Sequence, residues 1–214
     1  MKMTVIGCGY LGAVHAACMA SLGHDVVGID VDRQKVRALC AGKAPFHEPG
    51  LEEMLAQETA AGRLRFTAEP TPRDLAGAGI HFITVGTPQS DDGGAADLSH
   101  LMGAVDMIVE LLDPTERTVV VGKSTVPVGT AHTVEERLAG TGAALAWNPE
   151  FLREGYAVED TLRPSRLVYG LSADADSAFR GRDALDEAYR PILDAGTPVI
   201  VDSFSTAELV KVAA

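Results

Sequence analysis

The first 30 residues constrain the fold of this chain more than any other stretch. A short apolar run from Met3 to Ile6 leads into a glycine-rich turn, a run of small apolar residues to Leu22, and a second apolar run that ends at Asp30. The turn reads Gly7-Cys8-Gly9-Tyr10-Leu11-Gly12. This order predicts a strand, a tight turn, a helix and a second strand, the unit in which three glycines let a helix N-terminus approach a pyrophosphate.

Asp30 indicates which dinucleotide such a turn would bind. It follows Gly12 by 18 residues, close to the spacing of roughly 20 residues expected of a carboxylate that accepts a hydrogen bond from a ribose hydroxyl. A carboxylate at this place repels a 2′-phosphate, so the sequence favours NAD over NADP. The alternative is a glycine-rich turn in some other α/β protein, but the strand and helix around the turn favour the dinucleotide interpretation.

Composition narrows the class of protein. With 214 residues and 46% hydrophobic residues, the chain can form one large domain or two small ones around a sizeable core. Its formal net charge of −12 disfavours nucleic acid as a partner, because the phosphates would be repelled over most of the surface. The sequence has no apolar run of the roughly 20 residues that span a bilayer and no signal-peptide pattern at its start. We therefore expect a cytoplasmic protein without a membrane partner.

The cysteines and histidines lack the spacing of a metal site. The three cysteines include no Cys-x-x-Cys pair, which disfavours a zinc site or a disulfide framework and predicts buried, small apolar side chains. The six histidines, at positions 15, 24, 47, 81, 100 and 132, also lack ligand spacing and are interpreted as structural or surface residues. We expect no metal.

The remainder of the chain alternates between strand and helix patterns. Further strands are predicted at 64–67, 80–85, 117–122, 143–147, 165–170 and 198–201, and helices at 33–41, 51–57, 98–112, 130–138 and 174–189, with one helical turn near Pro72. The strand at 80–85 is mostly apolar on both of its faces, as expected when helices cover both faces of a sheet. The predicted fold is therefore α/β, a Rossmann-like, doubly wound, mostly parallel sheet with helices on both faces.

Unusual polar loops follow three successive predicted strands. They begin at Val85, at Lys123 and at Asn148, and the first continues as a polar stretch from Gln89 to Asp97. Because the carboxyl ends of parallel strands meet at one edge of a sheet, we expect these loops to converge on a ligand site.

The last residues predict the start of a helix. Ser205 and Glu208 have the spacing of a capping box, and the apolar residues after them run to Ala214 without a stop signal. We expect residues 1–203 to form an NAD-binding domain and residues 204–214 to begin a helix that leads to further domains of a longer protein.

Together these motifs resemble the N-terminal domain of the UDP-glucose/GDP-mannose dehydrogenase family. The matching stretches span the chain: Gly7 to Gly12, Glu48-Pro49-Gly50-Leu51, Val85 to Pro88, Gly122 to Thr130, Asn148 to Gly155 and Glu208 to Lys211. The resemblance implies that a nucleotide sugar is oxidised twice at its 6-hydroxyl with two NAD, through a thioester on a cysteine of a later domain. Neither Cys8, Cys18 nor Cys40 lies where the family keeps that nucleophile.

The same resemblance implies roles for individual residues. Those around the reacting carbon are Thr125, Glu150 and Lys211. Those that contact the sugar substrate are Glu150, Phe151, Leu152, Arg153, Glu154 and Lys211, with no particular role for Arg153. Those that bind NAD are Gly7, Gly9, Tyr10, Leu11, Gly12, Asp30, Lys35, Val85, Gly86, Thr87, Pro88, Gln89, Ser124, Thr125, Val126 and Glu154.

These residue types suit the chemistry that the resemblance implies. A lysine ammonium stabilises the charge that develops on the sugar oxygen, and a carboxylate aided by a threonine hydroxyl can act as a general base on water. Each residue also has a simpler interpretation. Glu150 and Glu154 can share one face of a solvated turn, Lys211 can extend to solvent, Lys35 can be an exposed helix residue, and Thr125 can cap a loop.

Two further interpretations of the whole chain stay open. Within the family, UDP-glucose is favoured as substrate, with GDP-mannose or UDP-N-acetylmannosamine as alternatives. Outside enzymes, the chain can be a dinucleotide-binding regulatory domain without chemistry of its own. The resemblance also implies a homodimeric full-length protein, of which this chain alone can be a monomeric part, and a product, UDP-glucuronate, that serves polysaccharide biosynthesis.

Overall fold

The computed structural model describes residues 1–90 and 96–213. Part of the predicted polar stretch after Gln89, residues 91–95, lies outside the described residues. The strands are β1 (Lys2–Ile6), β2 (Asp25–Ile29), β3 (Leu64–Thr67), β4 (Ile80–Ile83), β5 (Val119–Gly122), β6 (Ala144–Trp147), β7 (Leu167–Leu171) and β8 (Val199–Ser203).

The helices of the described residues include two that the sequence patterns did not predict, α7 and α9. Both are short, at six and five residues, and so carry too little periodicity to be recognised. The helices are α1 (Tyr10–Ser21), α2 (Arg33–Cys40), α3 (Leu51–Ala60), α4 (Pro72–Leu75), α5 (Ser99–Leu111), α6 (Thr130–Arg137), α7 (Ala157–Leu162), α8 (Ala175–Ala188), α9 (Arg190–Asp194) and α10 (Phe204–Ala213).

The described strands form one eight-stranded sheet in the order β3-β2-β1-β4-β5-β6-β7-β8. Among them, only β6 and β7 pair antiparallel, and all other neighbours are parallel. The chain order reverses between β1 and β4, which is the place where doubly wound sheets bind their ligands. The predicted fold class, a mostly parallel doubly wound sheet, is confirmed, and β7 runs antiparallel to its neighbour β6.

Helices cover both faces of the sheet because the central strands are apolar on both sides. On one face α1, α3 and α8 pack against side chains such as Met3, Val5 and Val121. On the other face α5, α6 and α10 pack against Ile6 and Val120. Burial of each such side chain contributes on the order of 1.5–3 kcal/mol, so the sheet positions its carboxyl-edge loops on a rigid support.

The structure corrects the predicted start of the last helix. Helix α10 begins at Phe204, and the hydroxyl of Ser203 accepts a hydrogen bond from the backbone N–H of Thr206 at 3.3 Å. Ser205 therefore lies inside the helix, and the predicted capping box with Glu208 is wrong. The Glu208 carboxylate instead accepts hydrogen bonds from α6, because a tertiary partner is available.

Cys40 is a second correction. The sequence predicted a buried side chain, but Cys40 is exposed, whereas Val36 and Leu39 on the same helix are buried. It is the last residue of α2, where the chain turns away from the core. Cys8 and Cys18 are fully buried, as predicted.

None of the helices within the described ranges combines the length and apolar character that a membrane crossing requires.

Candidate active site

A cleft of about 470 Å³ opens at the carboxyl edge of β1, β2 and β4. The glycine turn after β1 forms one wall, and the start of α5 forms another. Gly7 adopts φ +93° and donates its N–H to the carbonyl of Ile29 at 2.8 Å, which fixes the turn at the end of β2. The cleft is lined by Ile6, Gly7, Gly9, Ile29, Asp30, Val31, Lys35, Ala68, Pro70, Thr84, Val85, Gly86, Ser99, His100, Gly103, Ala104 and Met107.

The three glycines of the turn have different steric surroundings. A Cβ on Gly12 would lie 1.9 Å from the carbonyl oxygen of Gly7, so only glycine lets α1 pack against the turn. A Cβ on Gly9 would meet no protein atom within 4 Å. The space beside Gly9 opens onto the cleft at the N-terminus of α1, where free N–H groups favour a phosphate. The residues present therefore fit a dinucleotide.

Asp30 and Lys35 face each other at the far side of this cleft. The Lys35 Nζ lies 2.8 Å from the Asp30 Oδ2, and the backbone N–H of Asp32 donates to the Asp30 Oδ1 at 2.9 Å. Both side chains line the cleft, and Asp30 is only 7% exposed. The carboxylate is therefore held where a ribose would lie.

Hydrogen bonds join the loops that follow β4 and β5. The hydroxyl of Ser124 donates to the carbonyl of Val85 at 2.6 Å, and the hydroxyl of Thr87 donates to the carbonyl of Thr125 at 2.5 Å. Val85 and Gly86 line the cleft. Hydrogen bonds therefore join the two loops at the carboxyl edge of the sheet, and the first of them lines the cleft.

Four other predicted NAD contacts have a different placement. Val126 is buried in the core at 2% exposure, next to the loop rather than at the cleft wall. Gln89 pairs with Ala96 in an isolated antiparallel bridge, and Pro88 accepts a hydrogen bond from the N–H of Asp97 at 2.7 Å. Glu154 is exposed.

A second cavity, of about 310 Å³, lies on the other side of the start of α1. Leu11 lines this cavity whereas Gly9 lines the cleft, so the first turn of α1 separates the two spaces. The cavity is lined by Leu11, His15, Lys123, Asn148, Pro149, Glu150, Phe151, Leu152, Arg153, Asp160, Thr161, Arg163, Pro164, Ser165, Arg166, Leu167 and Tyr189.

Glu150 and Lys211 meet at the edge of this cavity. The Lys211 Nζ lies 3.1 Å from the Glu150 Oε1, and the side chains are 22% and 18% exposed. The other Glu150 oxygen accepts the N–H of Leu152 at 2.6 Å. The Phe151 ring lies 5.5 Å from the Lys211 ammonium and 4.6 Å from the Arg166 guanidinium. The helix α10 and the loop after β6, which are about 60 residues apart in the sequence, therefore bring an acid and an amine together.

Thr125 and Arg153 have separate surroundings. Thr125 is exposed in the loop after β5, the strand beside β6. The guanidinium of Arg153 forms a bidentate pair with Asp160, at 2.7 and 3.0 Å. This pair holds the loop after β6 against α7.

A buried lysine at the floor of the second cavity was not predicted as a functional residue. The Lys123 Nζ donates to the Asn148 Oδ1 at 2.9 Å and to the Tyr189 hydroxyl at 3.3 Å. Burial lowers the pKa of Lys123 to about 8, while the carboxylate of Glu150 acts in the opposite direction. Burial, followed by the charge of Lys123, holds the pKa of His15 well below its usual value. Lys123 lies in the stretch from Gly122 to Thr130 that resembles the family, but the apolar pattern of β5 before it does not indicate that the side chain is buried.

Glu48 is the second residue that sequence reasoning missed. It is 5% exposed, accepts a hydrogen bond from the Tyr10 hydroxyl, and accepts the N–H groups of Gly155 at 3.0 Å and Val158 at 3.4 Å. Burial and this hydrogen bond raise the pKa of Tyr10 to about 12. Glu48 thereby joins the glycine turn to the loop that carries Glu150. Its Glu-Pro-Gly-Leu stretch matches the family, but no local sequence pattern indicates that the N–H groups of Gly155 and Val158 will donate to Glu48.

Two of the three cysteines lie in surroundings that disfavour a thiolate. Burial raises the pKa of the Cys8 thiol far above its usual range and that of Cys18 to about 12. The Cys40 sulfur lies 3.6 Å from the carbonyl of Phe66, on the β3 side of the sheet. Within residues 1–90 and 96–213, no three histidine, cysteine or acidic side chains are grouped to bind a metal ion.

Two curated relatives match the chain along its whole length. It is 43% identical to the UDP-glucose 6-dehydrogenase of Rhizobium meliloti over 217 residues, covering 100% of this chain and 48% of the relative. It is 41% identical to the UDP-glucose 6-dehydrogenase of Pseudomonas aeruginosa, covering 100% of this chain and 47% of the relative. The chain therefore spans about half the length of the curated relatives it matches.

Solved structures agree with these relatives. A UDP-glucose dehydrogenase from the hyperthermophilic archaeon Pyrobaculum islandicum superposes with a TM-score of 0.88 at 39% identity, covering 99% of this chain and 48% of that structure. A ternary complex of GDP-mannose dehydrogenase from Pseudomonas aeruginosa gives a TM-score of 0.89 at 33% identity, covering 100% and 49%.

The glycine turn, the cleft and the acidic residue at the end of β2 all suit a dinucleotide, and a match to a protein family indicates the same ligand. Residues 1–193 match the NAD binding domain of one family, so NAD is the cofactor of this domain. The chain belongs to the UDP-glucose/GDP-mannose dehydrogenase family.

Proposed function

We propose that this chain is the N-terminal part of a UDP-glucose 6-dehydrogenase, which oxidises UDP-glucose to UDP-glucuronate in two NAD-dependent steps. The observation that carries the proposal is the pair of Glu150 and Lys211, 3.1 Å apart at a cavity that only the first turn of α1 separates from the dinucleotide cleft. The two curated relatives, both UDP-glucose 6-dehydrogenases, favour UDP-glucose as the sugar nucleotide.

The dinucleotide would be held by the turn at Gly9 and by Asp30. When bound, NAD supplies the acceptor for the hydride that leaves the sugar carbon. The chain's own contribution is to bind the pyrophosphate at the N-terminus of α1 and to accept a ribose hydroxyl at Asp30.

Lys211 and Glu150 have different chemical roles at the sugar. As the 6-hydroxyl passes its proton to solvent water, the Lys211 ammonium stabilises the negative charge that develops on the oxygen, since its partly buried position weakens competition from water. The Glu150 carboxylate, paired with that ammonium and fixed by the Leu152 N–H, is the base that takes a proton from water in the final hydrolysis. Thr125, on the neighbouring loop, positions that water.

The covalent step requires a thiolate that this chain does not supply in its own site. Two of its three cysteines are fully buried with raised pKa values, and the third lies on α2. We therefore infer that the nucleophilic cysteine belongs to a part of the enzyme outside these 214 residues.

An alternative substrate is GDP-mannose or UDP-N-acetylmannosamine. A superposition with a GDP-mannose dehydrogenase as good as that with a UDP-glucose dehydrogenase supports this alternative. The second candidate function, NAD binding without turnover, applies to the chain by itself because it spans about half of its relatives.

The decisive experiment compares the full-length enzyme that we propose contains this chain with the chain alone. Each is assayed with NAD and UDP-glucose, and GDP-mannose and UDP-N-acetylmannosamine serve as competing substrates. We expect two NADH per UDP-glucose from the enzyme, and NAD binding without NADH formation from the chain. Turnover by the chain alone would refute the assignment of the nucleophile, and preference for another sugar nucleotide would refute the substrate.

The Lys211→Met variant tests the role of the amine in that enzyme. Because the oxyanion loses its counter-charge, kcat should fall by about 100-fold or more, while NAD affinity stays within about threefold. The matched control is Lys43→Met, which removes an exposed lysine from the loop after α2. A Lys211→Met enzyme with unchanged kcat would show that the amine only extends to solvent.

A further inference from the structure

Glu208 is a buried carboxylate that the proposed chemistry does not use. Its side chain is 1% exposed. The Oε2 accepts the backbone N–H of Gly129 at 2.8 Å, and the Oε1 accepts the N–H of Ala131 at 2.6 Å. Burial of a charged group is unfavourable unless specific hydrogen bonds offset the lost hydration, so these two contacts define where the side chain must lie.

Both donors belong to the start of α6. Gly129 is its N-cap residue in a left-handed conformation, φ +99°, and has no side chain to cap the helix. The Glu208 carboxylate takes the place of that cap and lies at the positive end of the helix dipole. The Thr130 hydroxyl also donates to the carbonyl of Pro127 at 2.7 Å, which ties the α6 start to the loop that carries Thr125.

Helix α10 therefore contacts two catalytic loops at once. Glu208 and Lys211 lie three residues apart on it, which places them on the same face about one turn apart. Glu208 holds the loop after β5, and Lys211 pairs with Glu150 in the loop after β6. A movement of α10 would shift Thr125 relative to Lys211 only if the Glu208 contacts broke.

We propose that Glu208 is a positioning residue that fixes the Thr125 loop relative to Lys211. The inference rests on the proposed function for the roles of those two residues, although the hydrogen bonds themselves do not depend on it. A glutamine at this position presents an N–H₂ group to one of the two backbone donors, so it keeps at most one of the contacts.

The first measurement concerns the chain itself and needs no activity. Amide hydrogen exchange is followed at Gly129 and Ala131 in the native chain and in Glu208→Gln, with Glu58→Gln as the matched control. Glu58 is also a buried carboxylate, 2% exposed, but it pairs with Arg63 away from the site. We expect at least about tenfold faster exchange at the two amides in Glu208→Gln alone. Unchanged exchange at Gly129 and Ala131 in Glu208→Gln would overturn the proposed positioning role of Glu208, whichever substrate the enzyme uses.

The second measurement concerns turnover in the full-length enzyme. Glu208→Gln should lower kcat by about 100-fold, since a displacement near 1 Å of a reacting group has that effect, while the KM for UDP-glucose changes by less than about threefold. Glu58→Gln should keep the native kcat. If Glu208→Gln loses stability as Glu58→Gln does but keeps the native kcat, then Glu208 has only a structural role and the proposal is overturned.

Glu208→Asp provides a second variant if the glutamine form does not fold. It keeps the charge but is one methylene shorter, so it cannot reach both amides in the native geometry. An intermediate kcat would support the proposal, and a native kcat would overturn it. If the native enzyme fails to oxidise UDP-glucose, the proposed function fails, whereas the exchange result still decides whether Glu208 holds the α6 start.

Discussion

Asp30 combines two features at the scale of a single residue. It is largely buried, and its oxygens accept hydrogen bonds from Lys35 and from the backbone of Asp32, yet it still lines the cleft. Those contacts hold a negative charge at the place where the ribose of a dinucleotide would lie. The discrimination against a 2′-phosphate therefore depends on one fixed carboxylate.

Asp30→Asn should weaken NAD binding and relax the discrimination against NADP. The amide keeps the shape but loses the charge, and Lys35 is then free to meet a phosphate. We expect the NAD Kd to rise by about tenfold, as for loss of a hydrogen bond to a charged group, and the ratio of the NADP Kd to the NAD Kd to fall. Titration calorimetry of the chain measures both constants.

The control is Asp32→Asn, two residues away. Asp32 caps α2 by accepting from Gln34 and Lys35, and asparagine is an equally good cap. Its binding constants should stay native. An Asp30→Asn chain with the native preference for NAD would contradict the role of the carboxylate.

Lys123 makes stability depend on pH because its pKa is lowered from its usual 10.5 to about 8. Between these values the folded lysine is neutral while the unfolded lysine is still protonated, so unfolding takes up a proton. The free energy of unfolding therefore rises with pH in this window, by about 2 kcal/mol between pH 8 and pH 10. Below pH 8 the buried lysine is mostly protonated in the folded chain, so this gain in stability is absent.

Lys123→Met should lack this rise. Urea unfolding of the native chain, Lys123→Met and the exposed control Lys43→Met at pH 7, 8, 9 and 10 measures the effect. As the pH increases, the native chain should gain stability relative to Lys123→Met, whereas Lys43→Met should follow the native chain. Parallel curves for all three proteins would mean that the pKa of Lys123 is not lowered.

The glycine turn and α1 act as one element in which each glycine has a different steric task. Gly12 lies against the backbone of Gly7, and Gly9 faces open space. The same motif therefore predicts opposite results for two alanine substitutions.

Gly12→Ala should destabilise the chain by about 3 kcal/mol, because α1 must move away from the turn. Gly9→Ala should leave the free energy of unfolding nearly native, since the φ of −68° at Gly9 suits alanine. It should nevertheless raise the NAD Kd by at least about tenfold, because the new methyl group occupies the space of the phosphate. Denaturant unfolding and calorimetry separate the two effects. Equal stability losses in both variants would contradict this division of tasks.

Elements with a clear apolar pattern were predicted well, including strands of four residues, whereas two short helices without such a pattern were not. The repeats in α5 and the apolar runs of β1, β4 and β5 were clear, whereas α7 and α9 were missed. The capping box at Ser205 was wrong for a physical reason: the Glu208 side chain gains two buried N–H donors on α6, which outweigh a solvated contact with its own helix.

At the scale of the whole molecule, the sheet reverses its order between β1 and β4, and the cleft lies at that point. A ligand that bridges the two halves of the sheet stabilises the folded chain by mass action. At an NAD concentration of 100 times the Kd, the free energy of unfolding should rise by about 2.7 kcal/mol. Thermal unfolding with and without NAD measures this rise, with NADP at equal concentration as the comparison; equal shifts from both would contradict the selectivity assigned to Asp30.

The sequence by itself determined the α/β fold class, the glycine turn, the acidic residue after β2 and the three polar loops at one edge, because each depends on short-range spacing and apolar periodicity. Only the tertiary structure decided the pairing of Glu150 with Lys211, the buried contacts of Glu48 and Glu208, and the lowered pKa of Lys123. Those depend on burial and on partners at least 60 residues away or on other elements, and no local pattern encodes the desolvation or the distances that determine them.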